Sequence, residues 1–196
     1  MKPLFLAAFV VTSIATPLFS GAHDSQNDLI IGPPVDWGGF YIGGAYASVG
    51  GTLTYAPGPG PDYNLGGGLG GGFAGYNIQN GNIIYGAEAA YSVGRISDET
   101  APNFRFVDLF DIKARLGVEV GDAMLYGIAG WTNALWDENG IDLDAGGVNA
   151  GLGIDYLVSD SFFIGAEYIF RDMDETASNV FLAPLQSVQL RAGLKF

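Results

Sequence analysis

The charged side chains that could do chemistry are few, and they fall at even spacing. Asp111, Lys113, Arg115 and Glu119 alternate with apolar residues, as do Arg191 and Lys195 near the C-terminus. Glu88, Asp155 and Glu167 stand in similar surroundings. Carboxylates beside bases can work as acid and base, line an ion path, or pair into a structural plug. Catalysis is poorly supported. The only histidine is His23, there is no cysteine, and so no Ser-His-Asp or Cys-His nucleophile can be assembled in the body of the chain. A second acidic group, Asp62, Asp98, Glu99, Asp137, Glu138, Asp142, Asp144, Asp172, Asp174 and Glu175, lies in or beside the longer polar connections. Asp137, Glu138, Asp142 and Asp144 loosely follow a calcium loop but lack its spacing and its bidentate Glu at position twelve. No metal site is therefore assigned. Divalent cations at these loops remain an expected partner class, with solvated surface charge as the plainer reading. No cofactor is expected.

The elements that position these groups are strands. Phe110, Ile112, Ala114, Leu116, Val118 and Val120 share one face, and the charges of that segment share the other. Successive side chains of a strand point to opposite sides, so this segment separates an apolar from a polar environment. Val188, Leu190, Ala192, Leu194 and Phe196 repeat the pattern against Gln189, Arg191, Gly193 and Lys195. Eight such segments are expected, at about 38–50, 65–77, 83–95, 104–120, 123–134, 144–157, 162–171 and 187–196. They approach the roughly 9–11 residues that a tilted strand needs to cross a bilayer. Short connections (77–82, 121–122, 158–161) alternate with longer ones (51–64, 96–103, 135–143, 172–186). An even strand number with short turns on one side and long loops on the other is an outer-membrane barrel layout. Closure follows because an open sheet edge cannot face hydrocarbon with its amides unpaired. The expected fold is all-β: an eight-stranded antiparallel up-and-down transmembrane barrel. The alternation leaves the registers of the second and fifth strands open.

Composition agrees. The 196 residues include 31 Gly, and only 15% are charged, against about 25% in average proteins. The segments 38–50 and 65–77 carry no charge, and an exterior of Phe40, Ile42, Gly44 and Tyr46 suits lipid better than water. A soluble lipocalin-like ligand carrier is the competing barrel, and it would need charge on the outside of every strand. The net charge of −13 excludes a nucleic-acid surface. Gly66 to Gly71 formally matches a dinucleotide loop, but a strand follows where a helix is required.

Residues 1–22 read as a secretory signal peptide. Met1-Lys2 precedes the apolar Leu4–Ile14, and Ser20-Gly21-Ala22 places small residues at a cleavage site. Residues 23–36 read as a flexible periplasmic lead-in, and 37–196 as the barrel. Of the seven bases beyond the leader, Lys113, Arg115, Arg191 and Lys195 take the polar parity, so the acidic excess falls on loops and lead-in. Arg95 and Asp108 fall on the apolar parity near the outer end. Tyr41, Tyr76, Tyr85, Tyr91, Tyr126, Trp131, Tyr156, Phe162, Tyr168 and Phe170 are expected to form interface girdles in part, with filling of the lumen for those that face inward.

Several pieces resemble one family. Trp37-Gly38-Gly39-Phe40-Tyr41-Ile42-Gly43-Gly44 resembles the first strand of small Gram-negative outer-membrane proteins of the porin-like surface-antigen type, relatives of outer-membrane protein A. Phe73-Ala74-Gly75-Tyr76-Asn77, Tyr85 to Tyr91, Ala114-Arg115-Leu116-Gly117, Gly151 to Tyr156 and Gly165-Ala166-Glu167-Tyr168 resemble later strands of that family in order. The resemblance covers about residues 37–196. It implies outer-membrane localisation, contact with outer-membrane lipid and lipopolysaccharide, and a terminal Phe196 read by the barrel-insertion machinery. It also supports Glu88, Arg115 and Asp155 as lumen charges. In an eight-stranded barrel the interior is just wide enough for side chains to fill it. Arg115 and Arg191 are therefore expected to bridge Glu88, Asp155 and Glu167 into an ionic plug, with Asp111, Lys113, Glu119 and Lys195 in the same network. The function expected is structural or surface-exposed, without enzymatic activity. A narrow porin for small solutes is the alternative.

Overall fold

A computed structural model describes residues 35–55, 63–97, 104–138, 141–175 and 181–196. Its strands are β1 (Gly39–Tyr55), β2 (Tyr63–Asn80), β3 (Ile83–Ser97), β4 (Phe104–Val120), β5 (Ala123–Glu138), β6 (Ile141–Leu157), β7 (Phe162–Glu175) and β8 (Phe181–Lys195). Each pairs antiparallel with the next, and β8 pairs with β1, so the sheet closes with no free edge. Residues 1–34, on which the expected signal peptide and most of the expected lead-in fall, lie outside the described residues.

The strands run from 14 to 18 residues, longer than the alternation alone suggests. The connections at 81–82, 121–122 and 158–161 tie one end of the barrel. Gly81 and Gly121 open the two-residue turns at φ of +64° and +62°, a left-handed backbone that glycine adopts without a Cβ clash. The extra length therefore lies at the opposite, outer end. Residues read from sequence as loop, such as 51–55, 135–138, 141–143 and 181–186, continue the ladder there. Polarity had marked them as loop, but a strand that has left the hydrocarbon needs no apolar face.

The registers of β2 and β5 are set by their neighbours: Tyr41 lies opposite Gly75, and Arg115 opposite Ile128. In β4 the pairing skips Val107, since Phe106 faces Trp136 while Asp108 faces Leu135. Asp108 points outward beside this bulge. It accepts the Tyr91 hydroxyl (2.8 Å) and the Leu135 N–H (3.2 Å), which accounts for a carboxylate on the apolar parity.

The outward face is apolar, with Phe40 67%, Leu152 68% and Leu190 69% exposed. Outward aromatics occupy two levels. Phe40, Tyr76, Tyr85, Tyr156 and Phe162 sit near the short turns; Tyr91, Trp131 and Phe170 sit further along. That is the girdle pattern of a barrel seated in a bilayer. Tyr41 and Tyr126 do not join it, because their parity turns them into the lumen, where both are buried.

Candidate functional site: the barrel lumen

The inward side chains form layers. The central layer is ionic. Glu88 meets Lys113 Nζ at 2.6 Å, Arg191 Nη2 at 2.6 Å and Arg115 Nη1 at 3.3 Å. Asp155 meets Arg115 Nη2 at 2.6 Å and lies 3.4 Å from Arg191 Nε. Glu167 meets Lys113 Nζ at 3.0 Å and pairs with Arg191 Nη1. Three carboxylates thus face three cations, and every one of the six is buried. Neutrality matters here, because a buried charge stripped of its partner costs several kcal/mol.

Neutral donors take the remaining lone pairs. Tyr126 donates to Glu167 (2.7 Å) and is within 3.1 Å of Asp155; Gln189 donates to Glu167 at 2.5 Å. Arg115 also donates to the Tyr41 oxygen at 2.7 Å, and Tyr41 reaches Glu88 at 3.1 Å. Aromatic rings close the gaps between the cations. The Arg115 guanidinium lies over Tyr126 (3.9 Å) and Tyr41 (5.1 Å), and that of Arg191 over Phe73 (3.9 Å) and Phe163 (5.8 Å). These rings fit because glycine stands opposite them. A Cβ at Gly153 would overlap the Tyr126 ring, and one at Gly75 the Tyr41 ring.

Above this layer lies a second, smaller one. Asp111 pairs with Arg171 at 2.7 Å and accepts from Thr132 at 2.6 Å. Asn149 donates to Thr132 (3.0 Å), and Arg171 donates to Ser187 (2.8 Å). Asp111 is an expected lumen residue; Arg171, at the end of the seventh alternating segment, is an unexpected one. Its parity with Glu167 is the signal that could have found it.

Toward the loops the lumen turns apolar. Leu65, Leu69, Ile96, Leu109, Met173 and Leu185 are buried together with Ala47, Val49, Ala134 and Ala145. Every strand contributes at least one of these side chains. Polarity does not mark this layer, because its inward side chains are as apolar as the lipid-facing ones.

Three members of the expected charge network stand apart from the central layer: Asp111 in the second layer, and Glu119 and Lys195 at the mouth. Glu119 is only half-buried at the short-turn end, where Gln79 donates to it at 2.6 Å. Lys195 is half-buried at the same end and makes no ion pair among the described residues. Both lie too near the mouth to reach the central layer. Asp137 and Asp142 face one another across β5 and β6, and Leu135 faces Asp144. No cluster of three or more potential metal-ligating residues occurs among the described residues. Asp62, Asp98 and Glu99 lie outside them.

The sequence profile of the family described as "Outer membrane protein beta-barrel domain" matches residues 15–196. A curated "22 kDa outer membrane protein" of Rhizobium leguminosarum bv. viciae is 28% identical over 183 residues, spanning 84% of this chain and 80% of that one. Among solved structures, Neisserial surface protein A superposes with a TM-score of 0.54 at 18% identity, covering 80% of this chain and 97% of that one. Ail, the attachment invasion locus protein of Yersinia pestis, gives 0.51 at 18% identity, with 81% and 99% covered. At that identity the two structures share the fold with this chain.

Proposed function

The chain belongs to the outer membrane protein beta-barrel domain family and is a β-barrel of the bacterial outer membrane; on that premise we propose that it serves the envelope as a closed barrel, with a structural and surface role rather than as a channel. The observation that carries this reading is the succession of buried layers along the lumen: an apolar layer from all eight strands, then the Asp111–Arg171 pair, then a neutral layer of three carboxylates and three cations. An ion entering from outside would shed its water against Leu69, Ile96, Leu109, Met173 and Leu185. It would then have to break buried pairs. Both steps are costly.

The same arrangement argues against using the carboxylates as acid and base. Each already faces a cation and a neutral donor, so none is left to take a substrate proton. The exposed apolar belt supports lipid as the lateral partner, with lipopolysaccharide in the outer leaflet. Residues 1–22 are proposed as a cleaved export signal, and Phe196, exposed at the end of β8, as the residue offered to the insertion machinery. The outer ends of β5 to β7, rich in Asp and Glu, are the proposed surface region, where divalent cations could bridge to lipid phosphates.

Two experiments test the reading. In detergent extracts the native protein should migrate on gels faster than the boiled form, and recovery in the soluble periplasm would contradict a membrane barrel. Planar-bilayer recording of refolded protein tests closure, and a narrow porin would show itself by stable openings.

A further inference from the structure

The lead-in was expected to be loose through Asp36, yet its last residues are seated in the short-turn mouth. Val35 and Trp37 use all four of their backbone polar groups on side chains of the barrel. Trp37 N–H donates to Gln79 Oε1 at 2.6 Å, and Gln79 Nε2 donates to Val35 O at 3.0 Å. Val35 N–H donates to Glu119 Oε1 at 3.2 Å, and Asn77 Nδ2 donates to Trp37 O at 3.3 Å. Gln79 and Glu119 are themselves joined at 2.6 Å. One amide side chain that meets an N–H and the carbonyl two residues earlier does what a neighbouring strand would do. The Trp37 ring is 3% exposed and lies edge-on to Phe163, with centroids 6.1 Å apart.

Behind Trp37 is a cavity of about 10 Å³, lined by Tyr41, Asn77, Arg115, Asp155, Phe163 and Lys195 as well as Trp37 itself. Three buried polar atoms on these lining residues have no protein partner: Trp37 Nε1, Arg115 Nε and Asn77 Oδ1. That is two donors and one acceptor. A water needs roughly 10–15 Å³ and two to four polar partners. The lining carries two cations, Arg115 and Lys195, against the one carboxylate of Asp155; this excess opposes a cation in this space, and a polyatomic anion is too large for it.

We propose that the periplasmic mouth is a backbone-recognition site filled by the chain's own residues 35–38, and that one water molecule is bound behind Trp37. The water accepts from Trp37 Nε1 and Arg115 Nε and donates to Asn77 Oδ1. The segment is thereby tied to the ionic layer, and the lumen is stopped at the periplasmic end independently of the apolar layer at the other. This deepens the closed-barrel reading but is tested apart from it, since docking is measured whether or not the barrel conducts.

The test is hydrogen exchange by NMR on the refolded full chain in micelles. In the wild type the Val35 and Trp37 amides and the Trp37 indole N–H should exchange on the order of 100-fold slower than in a free peptide. The indole proton should also show a cross-relaxation peak to a long-lived water. In the double variant Gln79→Ala/Glu119→Ala, protection at these three protons should be lost while the amides of β3 and β4 keep theirs. Should that variant not refold, Trp37→Ala should lower Val35 protection by at least about tenfold. Free-peptide exchange rates in the wild type, or protection unmoved by either variant, would overturn the docking. An indole proton with no water peak would overturn the bound water.

Discussion

The guanidinium of Arg115 lies 3.9 Å above the ring of Tyr126, and both side chains hold the same carboxylate, Asp155. The cation is thus placed by stacking and by pairing at once. Gly153, on the strand beside Tyr126, leaves room for the ring to lie there. The lumen is specified by such triples of large ring, buried charge and facing glycine, and less by any single ion pair.

Arg191 is the hub of the ionic layer, meeting Glu88, Asp155 and Glu167. Arg191→Met keeps much of its volume and leaves three carboxylates against two cations. The expected loss is about 3–5 kcal/mol. Urea unfolding of protein refolded into lipid vesicles measures it, and a loss below about 1 kcal/mol would count against a desolvated network.

Asp111 and Arg171 form the second pair, separated from the first layer. Asp111→Leu and Arg171→Met should each destabilise by leaving the partner charge buried. The double variant should cost less than the two singles together, by about 1–3 kcal/mol of coupling. Additivity within about 0.5 kcal/mol would place the pair in water.

Glycines should divide by the face they serve. Gly153→Val must displace Tyr126 or the strand, so refolding yield should fall sharply, whereas nothing lies within 4 Å of a Cβ at the outward Gly66. Gly66→Ala should refold as the wild type does and gain up to about 1 kcal/mol from strand propensity. The heat-dependent gel shift reports both, and equal damage from the two would mean the assigned register is wrong.

Much of this was legible in the sequence because period-two alternation is a direct record of which side chains share a face. Glu88, Asp111, Lys113, Arg115, Asp155, Glu167 and Arg191 all carry the inward parity and are all buried. What was not legible follows from using polarity as the label for the lumen. Leu69, Ile96 and Leu109 are as inward as Glu88 but look like lipid-facing residues. Tyr41 and Tyr126 look like girdle residues, although their parity turns them inward. Strand length was underestimated for a related reason. Pairing continues beyond the membrane through residues such as Asp137 and Asp142, where hydropathy no longer reports it. The docking of Val35 and Trp37 had no periodic signal at all, since it depends on Gln79 and Glu119 arriving at one mouth from distant strands.

Closure of the lumen is the central claim, and single-channel recording of the purified, refolded protein in planar bilayers tests it most directly. A closed barrel gives a silent baseline at moderate voltage in the presence of verified inserted protein. Stable, reproducible openings of the wild-type chain, with amplitude that scales with salt concentration, would contradict it.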